Sequence, residues 1–346
     1  MDLATLLPRV REYLLDDRLQ GIPDWTPAAP FDVIPLAQGE YNLNYTVRQG
    51  NRRWVLRVNI GSQIQREDQI VYEYDALRLL ISSGVTPVPF AVDDSRSHLP
   101  YGVLAMSFLP GGRMDYTRDL EDAARLFARI HTLDIPAGGS HLIAEERPLT
   151  MTYHECARLL PVYLESELAD PGLRDYLADV LTWAAEARHA EAYFVADPWP
   201  CIINTEVNSG NFIADREEGR LYLVDWEKPL YGDPSQDLSH FCAPMTTLWK
   251  TDYRMTPDAK RRFIKTYKGG IRDAHLRDTI DDRVRLRDPF NYLRGISWSA
   301  MAWVSYQTGE HAVRNADTFR KVTDYLNLAF QREMFDPYLS TGVHAA

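Results

Sequence analysis

A polar loop between two short apolar runs constrains this chain more than any other feature of its sequence. The runs, 202–203 and 221–224, are rich in β-branched and large apolar residues and predict short strands. Glu206 and Asn211 lie five residues apart on the connecting loop, and Asp225 directly follows the second run. Because catalytic and binding side chains are concentrated on loops that strands position, this segment predicts a functional site and not a core.

These three side chains are suited to phosphoryl transfer from a metal-bound nucleotide. In that reaction one acid accepts the proton of the attacking hydroxyl, while an amide oxygen and a second acid hold Mg²⁺ against the phosphates. We therefore predict that Glu206 is the general base and that Asn211 and Asp225 are the magnesium ligands.

The segment resembles the catalytic segment of the aminoglycoside phosphotransferase and choline kinase family, whose members are relatives of protein kinases. The family pattern is His-x-Asp-x-x-x-x-Asn, a short hairpin and Asp-Trp/Phe-Glu, and the resemblance continues through 232–234 to Asp237. Two positions depart from this pattern: Asn204 stands where the family has His, and Glu206 stands where it has the catalytic Asp. Glutamate keeps the charge of aspartate but is longer by one C–C bond, about 1.5 Å.

The resemblance extends over about 33–306 and implies an α+β, two-lobed, protein-kinase-like fold. It implies an N-terminal nucleotide-binding lobe (1–106) with an antiparallel β-sheet and a helix, a hinge (107–112), and a larger, mainly α-helical lobe for catalysis and substrate binding (113–346). The strand-like segments are 31–39, 42–50, 52–60, 86–92 and 102–106. The helix-like segments are 2–20, 66–82, 119–132, 153–168, 173–192, 257–267, 289–306 and 316–334.

The loop before the second predicted strand resembles the family's Gly-Gly-x-x-Asn-x-x-Tyr pattern. Gly39, Asn42 and Tyr45 match this pattern, while Gln38 replaces the first glycine. The resemblance implies that Gly39 and Asn42 lie over the phosphates of the nucleotide. Taken alone, the loop is also typical of an ordinary β-turn.

Arg57 is a lone cation in an apolar strand, and a buried charge needs a partner. The resemblance implies that this partner is Glu73 on the next helix and that the Arg57 head group reaches the α- and β-phosphates. The alternative is an arginine that extends from an edge strand to solvent. At the predicted hinge, the resemblance implies that the Ser107 carbonyl and the Leu109 amide pair with the adenine edge.

Three residues are predicted near the acceptor substrate. Glu227 follows Asp225 by two positions and so points to the same face of an extended segment. It would contact a second metal or the acceptor, or else form a salt bridge with Lys228 or an arginine. Trp298 and Trp303 lie in an aromatic predicted helix and could offer π faces to a cation; the alternative is that both rings are core residues.

Two further polar residues are predicted to support the site without taking part in the chemistry. His131 resembles an internal histidine of the family, at the end of a helix-like segment. Asp237 would accept hydrogen bonds from amides of the catalytic loop and so set the shape of that loop.

The overall charge argues against some classes of partner. The 346 residues include 38 Lys and Arg against 49 Asp and Glu, which gives a formal net charge of -11. Such a surface does not suit nucleic acid or an anionic membrane, and it is compatible with a cationic acceptor, although many bacterial-type soluble proteins are equally acidic. Three widely spaced cysteines and the absence of a long apolar run predict a reducing, cytoplasmic location.

We predict from the sequence an ATP-dependent small-molecule kinase, a phosphotransferase that moves the γ-phosphate to a hydroxyl of a small substrate, with ATP and Mg²⁺ as cofactors. Two alternatives keep the fold. One is a catalytically silent nucleotide-binding pseudokinase, motivated by Asn204 and Glu206, and the other is a nucleotidyl transferase. The sequence leaves open which alcohol is the acceptor, whether ATP or GTP is the donor, and the oligomeric state.

Overall fold

The computed structural model describes residues 2–16, 19–135, 141–309 and 316–341. The chain forms two compact units, each built from non-consecutive segments. The first unit comprises Met1–Met114, Leu133–Ile143 and Asn211–Leu230, and the second comprises Asp115–Thr132, Ala144–Gly210 and Tyr231–Ala346. The predicted lobes, 1–106 and 113–346 with a hinge at 107–112, are each a continuous stretch of the chain. This division stays a prediction.

Strands and helices are divided unevenly over the described part of the chain. The strands are β1 (Asp32–Gln38), β2 (Asn42–Gln49), β3 (Arg52–Asn59), β4 (Pro89–Asp93), β5 (Gly102–Ser107), β6 (Gly112–Arg113), β7 (Cys201–Ile203), β8 (Phe212–Asp215), β9 (Arg220–Leu223) and β10 (Leu230–Gly232). The helices are α1 (Leu3–Leu15), α2 (Gln69–Leu80), α3 (Tyr116–His131), α4 (Pro148–Leu159), α5 (Pro161–Leu164), α6 (Pro171–Ala187), α7 (Ala192–Ala196), α8 (Ser235–Cys242), α9 (Pro244–Thr247), α10 (Pro257–Gly270), α11 (Ala274–Thr308), α12 (Ala316–Tyr325) and α13 (Leu328–Thr341).

The first unit contains a five-stranded antiparallel sheet in the order β1-β2-β3-β5-β4. In the turn between β2 and β3, Gly50 has φ of +59°, which a glycine adopts without the clash of a Cβ. A smaller three-stranded sheet in the order β6-β8-β9 belongs to the same unit. The apolar face of α1, with Leu6 and Val10 fully buried, packs into the core of this unit.

The second unit is mainly helical, and in it β7 pairs with β10. Its core is formed by side chains from α4, α6, α11 and α13, among others. Several helices differ from their predicted bounds. Pro161 divides the segment predicted at 153–168 into α4 and α5, because proline has no amide hydrogen and suits a first helical turn. The segment predicted at 316–334 is likewise divided, into α12 and α13.

Two fully buried arginines of α11 are paired with carboxylates within the second unit. Arg283 donates to Asp233 at 2.6 Å and to Asp197 at 2.5 Å, and Arg287 donates to Glu145. Each buried cation thus has the partner that its desolvation requires. These pairs hold α11 against the segments that flank β7 and β10.

The sheet with its helices in the first unit and the mainly helical second unit confirm the predicted α+β class. Within the described residues, no helix combines the length and the apolar character needed to cross a membrane.

Candidate active site

The strand cation Arg57 lies at the centre of a charged cluster in the first unit. Strand β3 places it between apolar neighbours, and only 5% of the residue is exposed. Its Nη1 donates to Glu73 Oε1 at 2.6 Å and to Asp225 Oδ1 at 2.9 Å. The expected pair of Arg57 with Glu73 is therefore present, and the arginine does not extend to solvent.

Asn44 provides a third contact to Arg57 that the sequence analysis missed. Its Oδ1 accepts a hydrogen bond from Arg57 Nε at 3.1 Å, and its Nδ2 donates to the carbonyl of Ala37 at 3.3 Å. In the register of β2 and β3, Asn44 lies directly opposite Arg57. A polar residue opposite the lone strand cation was the signal that could have identified it.

The charges of this cluster influence one another. Burial alone would lower the pKa of Arg57, but the carboxylates of Glu73, Asp225 and Glu227 outweigh burial and raise it. Burial raises the pKa of Glu73, and the Arg57 guanidinium opposes that shift. With all groups ionised, three carboxylates and one guanidinium give a formal charge of about -2, which a divalent cation would complement.

The β8–β9 hairpin brings Asn211 and Asp225 to the same end of the first unit. Phe212 pairs with Leu223 in the ladder, and the Val224 amide donates to the Asn211 carbonyl at 2.9 Å. Asp225 then takes a left-handed conformation with φ of +65°. Such backbone conformations are concentrated at functional sites, where the surrounding structure holds them in place.

The donor set at this hairpin fits a hard cation. Among the residues that the structure describes, no group of three or more His, Cys, Asp or Glu side chains could hold a metal. Asn211 and Asp225 supply two oxygen-bearing side chains. A magnesium ion that also binds phosphates and water typically has only one or two ligands from the protein.

Asn42 and Glu227, which were predicted for the nucleotide and the acceptor respectively, are joined in the structure. Asn42 is buried and donates from Nδ2 to the Glu227 carboxylate, and its Oδ1 accepts from Asn59 at 3.0 Å. The Gly39 amide donates to the Asn42 carbonyl at 2.8 Å, which closes the turn between β1 and β2. Gln69 adds a bond to the Glu227 carbonyl at 2.6 Å. The turn is thus tied to the segment that follows Asp225.

The segment predicted as a hinge begins at the end of β5. The Ser107 amide donates to the Val88 carbonyl at 2.8 Å, and its hydroxyl oxygen accepts from the Val88 amide at 2.9 Å. Leu109 follows as a partly exposed residue. Gly111 has φ of +134°, and a Cβ there would lie 2.5 Å from the Ala214 carbonyl oxygen, so only glycine allows this approach to β8.

Glu206 lies in the second unit, in a loop whose backbone is held by side chains. Asn204 Oδ1 accepts from the Glu206 amide at 3.0 Å. Asp237 accepts from the amides of Asn204 and Thr205, both at 2.8 Å, as its predicted supporting role requires. The Asp237 carboxylate is 3.4 Å from Nε2 of His131, which is buried. The residue that replaces the family's histidine, Asn204, therefore shapes the turn that carries Glu206.

Arg294 and Glu155 also belong to this loop network and were missed from the sequence. Arg294 Nε donates to Glu155 at 2.9 Å, and Nη1 donates to the Thr205 carbonyl at 3.0 Å. Arg294 Nη2 lies 4.0 Å from Glu206 Oε1. Burial would lower the pKa of Arg294, but the charges of Glu155 and Glu206 raise it. The only sequence signal for Arg294 was an isolated cation in an aromatic helical segment.

The two tryptophans predicted near the acceptor lie on different sides of α11. The ring of Trp298 packs edge to face on Trp249, with centroids 5.6 Å apart. The ring of Trp303 packs on Tyr163 at 6.0 Å and contacts the core of the second unit. Trp298 follows Arg294 by four residues and so shares its helix face, whereas Trp303 does not.

Comparison with known protein families gives a match over most of the chain. The model described as the phosphotransferase enzyme family matches residues 32–275, which is more than half of the 346 residues. Comparison with curated protein sequences gave no match.

Solved structures share the fold at low sequence identity. Choline kinase from Cryptosporidium parvum Iowa II is 13% identical with a TM-score of 0.67, over 99% of this chain and 98% of that one. Plasmodium vivax ethanolamine kinase is 12% identical with a TM-score of 0.67, over 97% and 90%. A spectinomycin phosphotransferase is 14% identical with a TM-score of 0.54, over 91% and 93%.

These findings confirm the resemblance, the kinase-like α+β fold and the class of enzyme that the sequence predicts. The roles of the individual site residues stay predictions. With a match that spans both the Arg57 strand and the Asp225 hairpin, the chain belongs to the phosphotransferase enzyme family.

Proposed function

We propose that this phosphotransferase moves the γ-phosphoryl group of ATP to a hydroxyl group of a small molecule. The observation that carries the proposal is the cluster of the buried Arg57 and Glu73 with the partly exposed Asp225, beside the hairpin end that bears Asn211. It combines a fixed cation for phosphate oxygens with oxygen donors for a metal, which are the parts that phosphoryl transfer needs.

The first-unit residues would bind the nucleotide. Arg57, held by Glu73 and Asn44, would contact the α- and β-phosphates, and Asn211 and Asp225 would hold Mg²⁺. The metal, when bound, would neutralise charge on the phosphates and orient them. Gly39 would cover the phosphates, and the Ser107 carbonyl and the Leu109 amide would contact the adenine edge.

Asn42 and Glu227 would act together in this proposal. Because Asn42 donates to the Glu227 carboxylate, it would orient Glu227 at the turn that covers the phosphates. Glu227 would then contact a second metal or the acceptor from a fixed position.

Glu206 would accept the proton of the attacking hydroxyl. Its backbone is fixed through Asn204, Thr205 and Asp237, which supports an active catalytic loop despite the departures from the family pattern. A positioned base contributes about 10²–10⁴-fold to the rate. We therefore expect Glu206→Ala to lose turnover by about that factor while ATP binding is retained.

The acceptor would be a small alcohol. One solved relative carries ADP and spectinomycin, and another carries AMP-PNP and hygromycin B, which supports a nucleotide together with a hydroxyl-bearing small molecule. Trp298, on the same helix face as Arg294, is the stronger of the two aromatic candidates for contact with that molecule. Trp303 is the weaker one because it packs on the core.

The test is an ATP titration with and without Mg²⁺, followed by turnover with a panel of hydroxyl compounds. We expect slow ATP hydrolysis that one compound stimulates, with ADP and the phosphorylated compound as products. Nucleotide binding without any turnover would instead support a silent regulator. Release of pyrophosphate would support nucleotidyl transfer.

A further inference from the structure

We propose that Arg294 is a positioning residue for Glu206 and that Glu155 holds Arg294 in place. The inference rests on the proposed function, because it explains how the longer acid of this chain is aimed. Glu155 on α4, Arg294 on α11 and Glu206 in the loop after β7 all lie in the second unit.

The guanidinium of Arg294 contacts three partners with three different nitrogens. Nε binds Glu155 at 2.9 Å, Nη1 binds the Thr205 carbonyl at 3.0 Å, and Nη2 faces Glu206 Oε1 at 4.0 Å. The Arg294 side chain is 14% exposed, whereas that of Glu206 is 28% exposed. The planar guanidinium carries five donors in a rigid arrangement, so it can fix three groups relative to one another, which a lysine ammonium does less well.

The loop needs this support because of the backbone at Thr205. Thr205 has φ of +71°, a left-handed conformation that is an outlier for a β-branched residue. Its amide donates to Asp237, and its carbonyl accepts from His240 Nδ1 at 2.8 Å and from Arg294. Thr205, the residue directly before Glu206, is therefore held at both its amide and its carbonyl, and Arg294 is one of the groups that hold it.

The contact with the Glu206 carboxylate is of a different kind. At 4.0 Å it is longer than a hydrogen bond, so it acts through charge and orients the carboxylate without bonding directly to its oxygen. Glu155 binds the Nε edge of the guanidinium and so restrains Arg294 from moving closer to Glu206. A glutamate has one more rotatable bond than an aspartate, and a fixed cation nearby limits the orientations it adopts.

The experiment compares Arg294→Met, Arg294→Lys and Glu155→Gln, each alone and in a Glu206→Gln background. Turnover, the KM for ATP, the affinity for ATP and the melting temperature are measured for each. We expect Arg294→Met to lower kcat about tenfold to a hundredfold while the affinity for ATP is unchanged, because misplacement by about 1 Å costs a factor of that order. Arg294→Lys should recover part of the loss.

Coupling to Glu206 separates positioning from a general effect on folding. Residues that act as a unit are not additive, so Arg294→Met should have little further effect on kcat once Glu206 is Gln. Arg285→Met is the matched control, because Arg285 lies on the same helix and pairs with the exposed Asp282. It should leave kcat unchanged. An equal loss of kcat in both backgrounds, or no loss in either, would overturn the proposal.

Amide hydrogen exchange tests whether Arg294 holds the loop without any measurement of activity. Peptides that cover 201–211 should exchange faster in Arg294→Met than in wild type or Arg285→Met, because a bond to the Thr205 carbonyl is lost. If no substrate gives turnover, the proposed function fails, while the exchange rates still decide whether Arg294 holds the loop. Unchanged exchange in Arg294→Met would contradict its positioning role.

Discussion

A single nitrogen of Arg57, Nη1, donates to Glu73 at 2.6 Å and to Asp225 at 2.9 Å. The guanidinium therefore connects α2 to the end of the β8–β9 hairpin. A change at Arg57 should consequently affect both the stability of the first unit and any ligand that depends on Asp225. The two effects can be separated by the choice of substitution.

We expect Arg57→Lys to weaken ATP binding about tenfold, since a lysine keeps the charge but cannot bind Glu73, Asp225 and Asn44 at once. Arg57→Met should instead destabilise the protein by about 3–5 kcal/mol, because the buried Glu73 carboxylate then loses its cationic partner. ATP titration and urea unfolding measure the two effects. Arg48→Met, which removes an exposed arginine of β2, is the control and should change neither. Wild-type ATP affinity in Arg57→Lys would contradict the phosphate role.

Asn44 tests whether the orientation of Arg57 matters as well as its charge. Hydrogen bonds to charged groups contribute about 1.5–3 kcal/mol to stability, so Asn44→Ala should lower the free energy of unfolding by about that amount. Because Arg57 is then no longer held at Nε, ATP binding should also weaken about tenfold, which corresponds to about 1.4 kcal/mol. If Asn44→Ala binds ATP as the wild type does, the bond to Arg57 Nε has no part in nucleotide binding.

Glu73 should make stability depend on pH in a defined direction. Burial raises its pKa above the ordinary 4.5, against the opposing effect of Arg57. An acid with a raised pKa binds more protons in the folded than in the unfolded state between the two values. Its contribution to the free energy of unfolding should therefore decrease as pH rises from 4.5 through the folded-state value.

Urea titrations across that pH range, on wild type and Glu73→Gln, measure this contribution. The free energy of unfolding of the wild type, relative to the variant, should decrease with rising pH. A difference that stays constant, or that increases with pH, would show that the buried carboxylate is not the group that titrates. Arg57 is present in both proteins, so its charge does not account for the difference.

The site residues that could be predicted from the sequence are those that follow short, regular spacing. Glu206, Asn211 and Asp225 flank strand-like runs, and the antiparallel ladder of β8 and β9 does bring the last two together. Arg57 was visible as a charge in an apolar strand, and its partner lay on the next helix. One hairpin is enough to place Asn211 and Asp225 at the same end of the first unit. The choice of Glu73 as the partner of Arg57 came from the family resemblance, and the structure shows that pair.

The residues that were missed depend on contacts between distant segments or on strand register. Asn44 is recognised only when β2 and β3 are aligned, because its neighbours in sequence give no sign of a charged partner. Glu155 and Arg294 are 139 residues apart, and no periodicity connects them. Helix ends at Pro161 and after Tyr325 were also placed wrongly, since apolar periodicity continues across breaks that proline and tertiary contacts impose.

The most direct measurement is the calorimetric titration of ATP with and without Mg²⁺, on wild type, Asp225→Asn and the exposed control Asp175→Asn. Wild type and Asp175→Asn should bind ATP much more tightly with Mg²⁺ than without it, because Asn211 and Asp225 complete the coordination of the metal. Asp225→Asn should bind ATP equally in both conditions. Retention of the full Mg²⁺ dependence in Asp225→Asn would contradict the claim that this hairpin holds the metal nucleotide.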